Sequence, residues 1–495
     1  MTDTDKLRAA VDRDIYDTSV TARDGITCFL ARDGVEKYVC LLADGKGKAL
    51  PDAFVGETSV VKVDDEDRML LMGSASHENA VAIRKLLPYT APSVQGTRIA
   101  AGLGDRLGIA TPGHIRAVAG SPMVPFLAQQ SIREMARTGR TPEEVLDTAT
   151  FGVFQEGYRD GFGSDADHLK TVEDAVNCLV AGFTMFTVDP GDHVDDGADG
   201  YEPSGLAGRL DALPWDELEI SRDDCRSAYL AGDVTLEGGG TLAFAEEEFA
   251  RAAVKYGRAV AHTVRMWRAL EEKSAGRPFE MEMSVDETAT PTSVQAHYFV
   301  ANELKRLGVK LVSLAPRFIG RFEKGVDYIG DTGEFEESFK LHTAVARTLG
   351  PYKLSLHSGS DKFSVYPIAA RIAGELVHLK TAGTSYLEAV RAIGGVDPEF
   401  FREILALAIE RYEEDRATYH VSAELSKATR PEDLKAGEEQ AVLDSFDNRQ
   451  VLHVTYGSVL DRFKDRFLHV LKSNEEAHYA ALESHLGRHV APFKK

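Results

Sequence analysis

Residues 352–385 read YKLSLHSGSDKFSVYPIAARIAGELVHLKTAGTS. Two short aliphatic runs, KLSL and ELVHL, each break into a polar cluster, and a helix-length segment lies between them. That is the rhythm of a parallel βαβ unit, whose crossover needs a dozen residues or more. The same rhythm recurs upstream in RIAAGLGDRLG (98–108), VPFLAQQS (124–131), GFGSDADHLKT (161–171), GFTMFTVDPGD (182–192), PFEMEMSVDET (278–288) and VKLVSLAPRF (309–318). With YKLSLHSGSDK (352–362) and ELVHLKTAGTS (375–385) there are eight such runs. Amphipathic stretches such as 143–157, 246–270, 291–307 and 335–349 lie between most of them. Eight units in succession predict an α/β fold, a closed (β/α)8 barrel of the TIM type.

The flanks read differently. Before the barrel, ITCFL (26–30), KYVCLLA (37–43), SVVKV (59–63) and RMLLMGS (68–74) are strand-like and separated by turn signals, and HENAVAIRKLL reads as a helix. They predict a small α+β unit over 1–92, with the turn-rich TAPSVQGT (90–97) at its end. The barrel then runs over 93–395, and the long gap after its fourth strand predicts an insertion around 193–245, opening with the acidic, glycine-rich DPGDHVDDGADGYEPSG. That acidic run lacks EF-hand spacing and reads as a solvated loop. Residues 396–495 read as a helical extension, including FFREILALAIERYEED and an amphipathic tail over 458–488.

Composition narrows the function. Of 495 residues, 57 are Lys or Arg and 79 Asp or Glu, a formal net charge of −22, which argues against a surface that wraps nucleic acid or docks on anionic lipid. The four Cys are isolated, so neither a disulfide scaffold nor a structural zinc cluster is expected. The polar start MTDTDKLRAAVDRD and the absence of a long apolar run point to a cytoplasmic protein, and a homo-oligomer is left open. The sequence has no GxxxxGK[ST], no GxSxG and no HExxH, and GLGDRLG lacks the dinucleotide spacing. What remains is metal-assisted acid/base chemistry on a small molecule.

A barrel of this kind works at the C-terminal ends of its strands. There the sequence places Asp105 and Arg106, Gln129 and Gln130, then Asp165, Asp167, His168 and Lys170. Asp189 and Asp192, Asp286 and Glu287, Arg317, His357 with Asp361 and Lys362, and finally His378 and Lys380 follow. Solvated loops are polar too, but His and Lys inside LSLHSG and LVHLKT are not loop residues. If their faces point into the mouth, His168, His357 and His378 converge as a divalent-metal site; the competing expectation is core histidines bonded to backbone. His342 lies on an apolar helical stripe and is expected to pack, His297 is a weaker ligand candidate, and His453, His469 and His478 are expected at the surface. Asp167 and Glu287 come from separated strands and suit two-sided proton transfer. Strict alternation instead groups Glu280, Glu282, Ser284 and Asp286 on one face, so Glu282 and Asp286 compete with Glu287.

Several long strings resemble one family. SVDETATPT (284–292), SLAPRFIGRFEKGVDYIGD (313–331), GPYKLSLHSGSDKFSVYP (350–367) and HLKTAGTSYLEAVR (378–391) are similar to the tagaturonate/fructuronate epimerases of bacterial hexuronate catabolism. GLGDRLGIATPGHIRAV (102–118), FQEGYRDGFGSDADHLKT (154–171) and FTVDPGDHVDD (186–196) resemble it as well, so the likeness spans roughly residues 95–395. One departure is Ala296, where a second His beside His297 is expected. The resemblance implies a ketouronate substrate and a divalent cation: manganese, nickel, cobalt or zinc. It implies Asp167 as base, His168 as metal ligand and Glu287 as the opposite acid/base, with His357 and His378 the choices to complete the metal shell.

Arg106, Lys170, Arg317 and Lys380 are candidates to hold the substrate carboxylate, and Gln130, Asp189, Ser358 and Asp361 are further candidate substrate contacts. The two ketouronates differ at the carbon β to the ketone, whose C–H the carbonyl does not acidify. Retro-aldol cleavage and re-addition is therefore the expected route. A metal-dependent aldolase or sugar-acid isomerase, including a ketohexose 4-epimerase, is the alternative, and a non-catalytic sugar-acid-binding protein the third.

Overall fold

The computed structural model describes residues 3–45, 47–238 and 240–494. All eight strand-like runs are strands of one closed parallel barrel: β1 (Ala100–Gly102), β2 (Val124–Ser131), β3 (Gly163–Leu169), β4 (Met185–Val188), β5 (Glu280–Val285), β6 (Leu311–Pro316), β7 (Lys353–Leu356) and β8 (Val377–Lys380). β8 closes on β1, with His378 paired to Ala100 and Lys380 to Gly102. β2, β4, β5, β7 and β8 are buried along their whole length. Buried parallel strands carry continuous apolar runs, and for that reason they stand out in the sequence.

Several crossover helices are started by side-chain caps. Ser131 ends β2 and caps the next helix, accepting from Glu134 N at 3.2 Å while the Glu134 carboxylate accepts from Ser131 N at 3.4 Å. Such a capping box satisfies two backbone donors that the first turn leaves free. Between β4 and β5 the insertion folds into short helices and a two-stranded hairpin, Val234–Thr235 with Thr241–Leu242, before the 28-residue helix Glu246–Lys273 returns to the barrel. Its acidic loop is tied down, not merely solvated. Asp199 accepts from Lys255 Nζ at 2.7 Å, and Asp196 from Ala289 N at 3.0 Å.

The N-terminal unit is a six-stranded antiparallel sheet. Alternation splits its central strands: Cys28, Leu30, Val39 and Leu41 pack toward the helix His77–Leu86 and the barrel's Phe151 and Phe154, while Phe29, Ala31, Cys40 and Leu42 pack toward the helix Asp3–Val11. All four Cys are buried and unpaired.

The extension is helical, and its tail is two helices, Tyr456–Ser473 and Glu475–Val490. The last one holds the molecule together. Glu475 accepts from Tyr16 at 2.7 Å and Arg32 at 2.6 Å on the N-terminal sheet, and Glu476 pairs with Arg116 of the barrel at 2.7 Å. No helix among the described residues is long and apolar enough to cross a membrane.

Candidate active site

The core of the site is a buried ammonium. Lys380 Nζ, at the end of β8, lies 2.8 Å from Asp165 Oδ2, 2.9 Å from Asp167 Oδ1 and 2.8 Å from Glu282 Oε1, and donates to Thr187 Oγ1 at 2.7 Å. Burial disfavours its charge, but the three carboxylates outweigh that and hold its pKa well above the usual value. Burial also lifts Asp165 to about 6.

Above it, two imidazoles stack with centroids 5.1 Å apart. His168 Nδ1 is 3.0 Å from Asp167 Oδ1, and its Nε2 is 3.7 Å from Glu287 Oε1. His357 Nε2 is 2.7 Å from Glu282 Oε1, and its Nδ1 is 3.0 Å from Asp286 Oδ1. Burial opposes a positive charge on either ring. The carboxylates win: Asp167 foremost raises His168, and Asp286 foremost lifts His357 to about 9. Contact with His168 in turn holds the half-exposed Glu287 at about 2. One donor atom from each of Asp167, His168 and His357 lies within 4.8 Å of the others.

Backbone irregularities make this convergence. His168 has φ +53°, and the pairing of β3 with β4 shifts register around it. That bulge turns both Asp167 and His168 to the mouth, which strict alternation forbids. A second shift lies between Phe126 and Ala128 on β2. Phe126 points inward against His378, so alternation from Phe126 would bring Gln130 in. The shift brings in Gln129 instead, whose Nε2 donates to Asp167 Oδ2 at 2.6 Å. Ser358 and Asp361 also have positive φ, +48° and +61°. Backbone strain of this kind clusters at functional sites.

Several sequence expectations are corrected. Gln130 turns outward to Arg140 at 3.3 Å. His378 is fully buried one layer below the mouth, because β8 pairs it level with Ala100 and Ser355; its Nδ1 stays 3.7 Å from Glu282. It is not part of the Asp167–His168–His357 group. Asp361 turns toward the C-terminal helices. Arg449 Nη2 donates to its Oδ2 at 2.9 Å, His485 contacts its Oδ1, and its own N–H donates to His489 at 2.9 Å. Lys380 lines the cleft, but its ammonium is occupied by the protein's own carboxylates.

Of the other expected contacts, Lys170 sits on the rim, paired with Asp192 at 2.8 Å, and the buried Asp189 accepts from Gly191 N at 2.9 Å. Arg317 lines a wider cavity beside Glu287, Asp286 and His357. Ser358 accepts from Lys324 Nζ at 2.6 Å. Arg106 is buried, with Nε and Nη2 donating to Glu134 Oε1 at 2.9 and 2.6 Å and its guanidinium 3.8 Å from the Tyr456 ring centre. His342 is packed as expected. His297 lies behind the barrel, bonded to His342 at 2.9 Å and Tyr352 at 2.8 Å. His469 is exposed, but His453 and His478 are buried.

A cavity of about 60 Å³ over Asp167, His168 and Lys380 shares Arg133, Lys324, His357, Ser358 and Tyr419 with the wider one, about 670 Å³, over Glu287 and Arg317. Gln129, Lys324, His453 and Tyr456 are among the lining residues that sequence reasoning did not select. For Gln129 a signal existed, its place at a strand end; for the others none did.

Comparison with known proteins identifies the family. A family model described as tagaturonate epimerase (UxaE) matches residues 16–493. The chain is 43% identical over 479 residues to the tagaturonate/fructuronate epimerase of Thermotoga maritima, covering 96% of each. The native crystal structure of fructuronate-tagaturonate epimerase UxaE from Cohnella laeviribosi superposes with a TM-score of 0.90 at 37% identity, covering 99% of this chain and 98% of that one. A glycerol complex of the same Cohnella enzyme superposes with the same TM-score and coverage. With the barrel, the flanking units and nearly the whole length in common, the chain belongs to the tagaturonate epimerase family of isomerases.

Proposed function

We propose that this chain interconverts D-tagaturonate and D-fructuronate by retro-aldol cleavage and re-addition, with a divalent cation held by His168, His357 and Asp167. The observation that carries the metal is the donor set itself. Two imidazoles and a carboxylate within 4.8 Å suit a borderline divalent ion that keeps open positions. The charge fits as well: Asp165, Asp167 and Glu282 surround the ammonium of Lys380, and Asp286 and Glu287 contact the His357 and His168 rings, so five carboxylates gather around one ammonium and two imidazoles. When bound, the cation supplies Lewis-acid polarisation of the substrate's ketone oxygen.

The residues of the chain do the rest. Glu287 is half-exposed beside His168 and ionised at neutral pH, so it can take the proton of the β-hydroxyl as the C–C bond breaks. That cleavage leaves an aldehyde and an enediolate. The aldehyde turns, the C–C bond re-forms on its other face, and the proton returns to the new alkoxide. Asp167 stands on the opposite side of the His168 ring from Glu287. Its Oδ1 faces His168 and Lys380 and its Oδ2 faces Gln129, so one oxygen can serve the cation and the other a substrate hydroxyl. Asp286 keeps to His357 and orients that ring.

Incubating metal-loaded protein with D-fructuronate and identifying the product by NMR tests the reading. D-tagaturonate is expected. Unchanged substrate overturns it, and accumulation of three-carbon fragments would make the chain an aldolase.

A further inference from the structure

One end of the narrower cavity is built by the C-terminal extension, and its polar groups lack partners. His453, on the helix Phe446–Val454, is 1% exposed, and neither ring nitrogen has a hydrogen-bond partner among the described residues. Arg106 is 6% exposed; Glu134 engages Nε and Nη2, and Nη1 has no partner. Both line the cavity that reaches Asp167 and His168, as does Lys324, whose Nζ reaches Ser358 beside His357. Gly383 makes room for the imidazole, since a Cβ there would fall 1.9 Å from His453 Cε1.

Buried polar groups without partners are rare and call for an explanation. Two unpartnered donors stand here, the Arg106 Nη1 N–H and the one N–H of a neutral His453 ring, and the partly buried Lys324 ammonium has hydrogens beyond the one it gives Ser358. The surrounding charge is positive as well. Arg106, Lys324, Arg133 and Arg137 line this end against Glu134, with Glu287 at 3.8 Å from Arg133. A hydroxymethyl group would bring a donor of its own into that shell. A carboxylate brings only acceptors and a negative charge.

We propose that Arg106 Nη1, Lys324 and His453 form the seat of the substrate's carboxylate, and that the C-terminal extension exists in part to complete it. The proposal rests on the reading above, which puts the ketone end at His168 and His357 and so sends the acid group to the far end of the same cleft. Arg106 keeps its pairing with Glu134 and offers its free edge; His453 acts as a specificity residue and not as a catalytic one.

The test is direct binding, which needs no turnover. Calorimetry compares D-galactonate, an unreactive hexonate, with galactitol, the same chain without the acid. The unmodified protein should prefer the hexonate, and His453→Phe and Lys324→Met should each lower that preference about tenfold or more, the scale of a lost charge-assisted bond. Galactitol affinity should stay unchanged and Lys324→Arg should restore the preference. With D-fructuronate the same two variants should raise KM and leave kcat nearly unchanged. No preference in the unmodified protein, or a preference that survives both variants, overturns the proposal. So does loss confined to Arg317→Gln, which would move the seat to the wider cavity. Failure of the epimerisation itself is seen separately, in the NMR product of the unmodified protein.

Discussion

His168 Nδ1 lies 3.0 Å from Asp167 Oδ1, although the two are adjacent in one strand and ordinary alternation would face them apart. The bulge at His168 puts an imidazole and a carboxylate on one side, opposite the His357 ring. His168→Ala and His357→Ala should therefore each lower bound metal, read by elemental analysis. Chelation should abolish activity, and added manganese, nickel, cobalt or zinc should restore it. Full turnover by stripped protein would remove the metal from the mechanism.

Asp167→Asn and Glu287→Gln should keep the fold, seen by circular dichroism, and lose turnover by about 10²–10⁴-fold, the range of a positioned acid or base. Asp286→Asn should act differently, by loosening His357 and lowering metal affinity, because Asp286 bonds that ring at 3.0 Å. A Glu287→Gln variant with unchanged kcat would pass the proton-transfer role to Asp286 or Glu282.

In D₂O, retro-aldol chemistry predicts no deuterium at the inverted carbon, because its C–H bond is never broken. NMR of the recovered product reads this directly. Deuterium at that carbon would mean proton abstraction there and would end the retro-aldol scheme.

Stability should depend on Arg449. It is buried, with Nη1 at 3.0 Å from Glu388 and Nη2 at 2.9 Å from Asp361. Removing one partner of a buried charge network costs about 3–5 kcal/mol, because the others stay buried and uncompensated. Arg449→Met should lower the urea midpoint accordingly, and a midpoint within error of the unmodified protein would contradict a stabilising role for these buried pairs.

Acid should also destabilise the fold. Burial lowers the pKa of His114, His478 and His489 from the ordinary 6.5 to about 4. The unfolded chain therefore takes up these protons first. Their contribution is complete above about pH 6.5 and is lost as pH falls from there toward about 4. Urea midpoints should drop between about pH 7 and pH 5, and less steeply in His478→Phe. A flat profile across that interval would count against the neutral buried rings.

The barrel was legible because parallel strands covered on both faces read as unbroken apolar runs that stop at charge, as in KLSLHSGSDK and LVHLKT. The N-terminal sheet was legible from alternation. What alternation cannot deliver is its own failure. Two register shifts exchange Gln130 for Gln129 and turn His168 in beside Asp167, and neither leaves a mark in composition. His378 was misplaced for a related reason, since face is readable in a strand and depth is not. Asp361 and His453 lay beyond reach because their surroundings come from helices far away in the chain.

Glu475 closes onto Tyr16 across 459 positions of sequence. At about 5–20 residues per second, the N-terminal sheet leaves the ribosome roughly 20–90 s before the helix that fastens it. Throughout that interval the nascent chain can form its sheet and most of its barrel, but its buried acids and histidines face a mouth without a wall. Premature termination before residue 446 therefore yields a species with open apolar seams and a mouth missing the wall that His453 and Tyr456 supply, a client for chaperones and proteases.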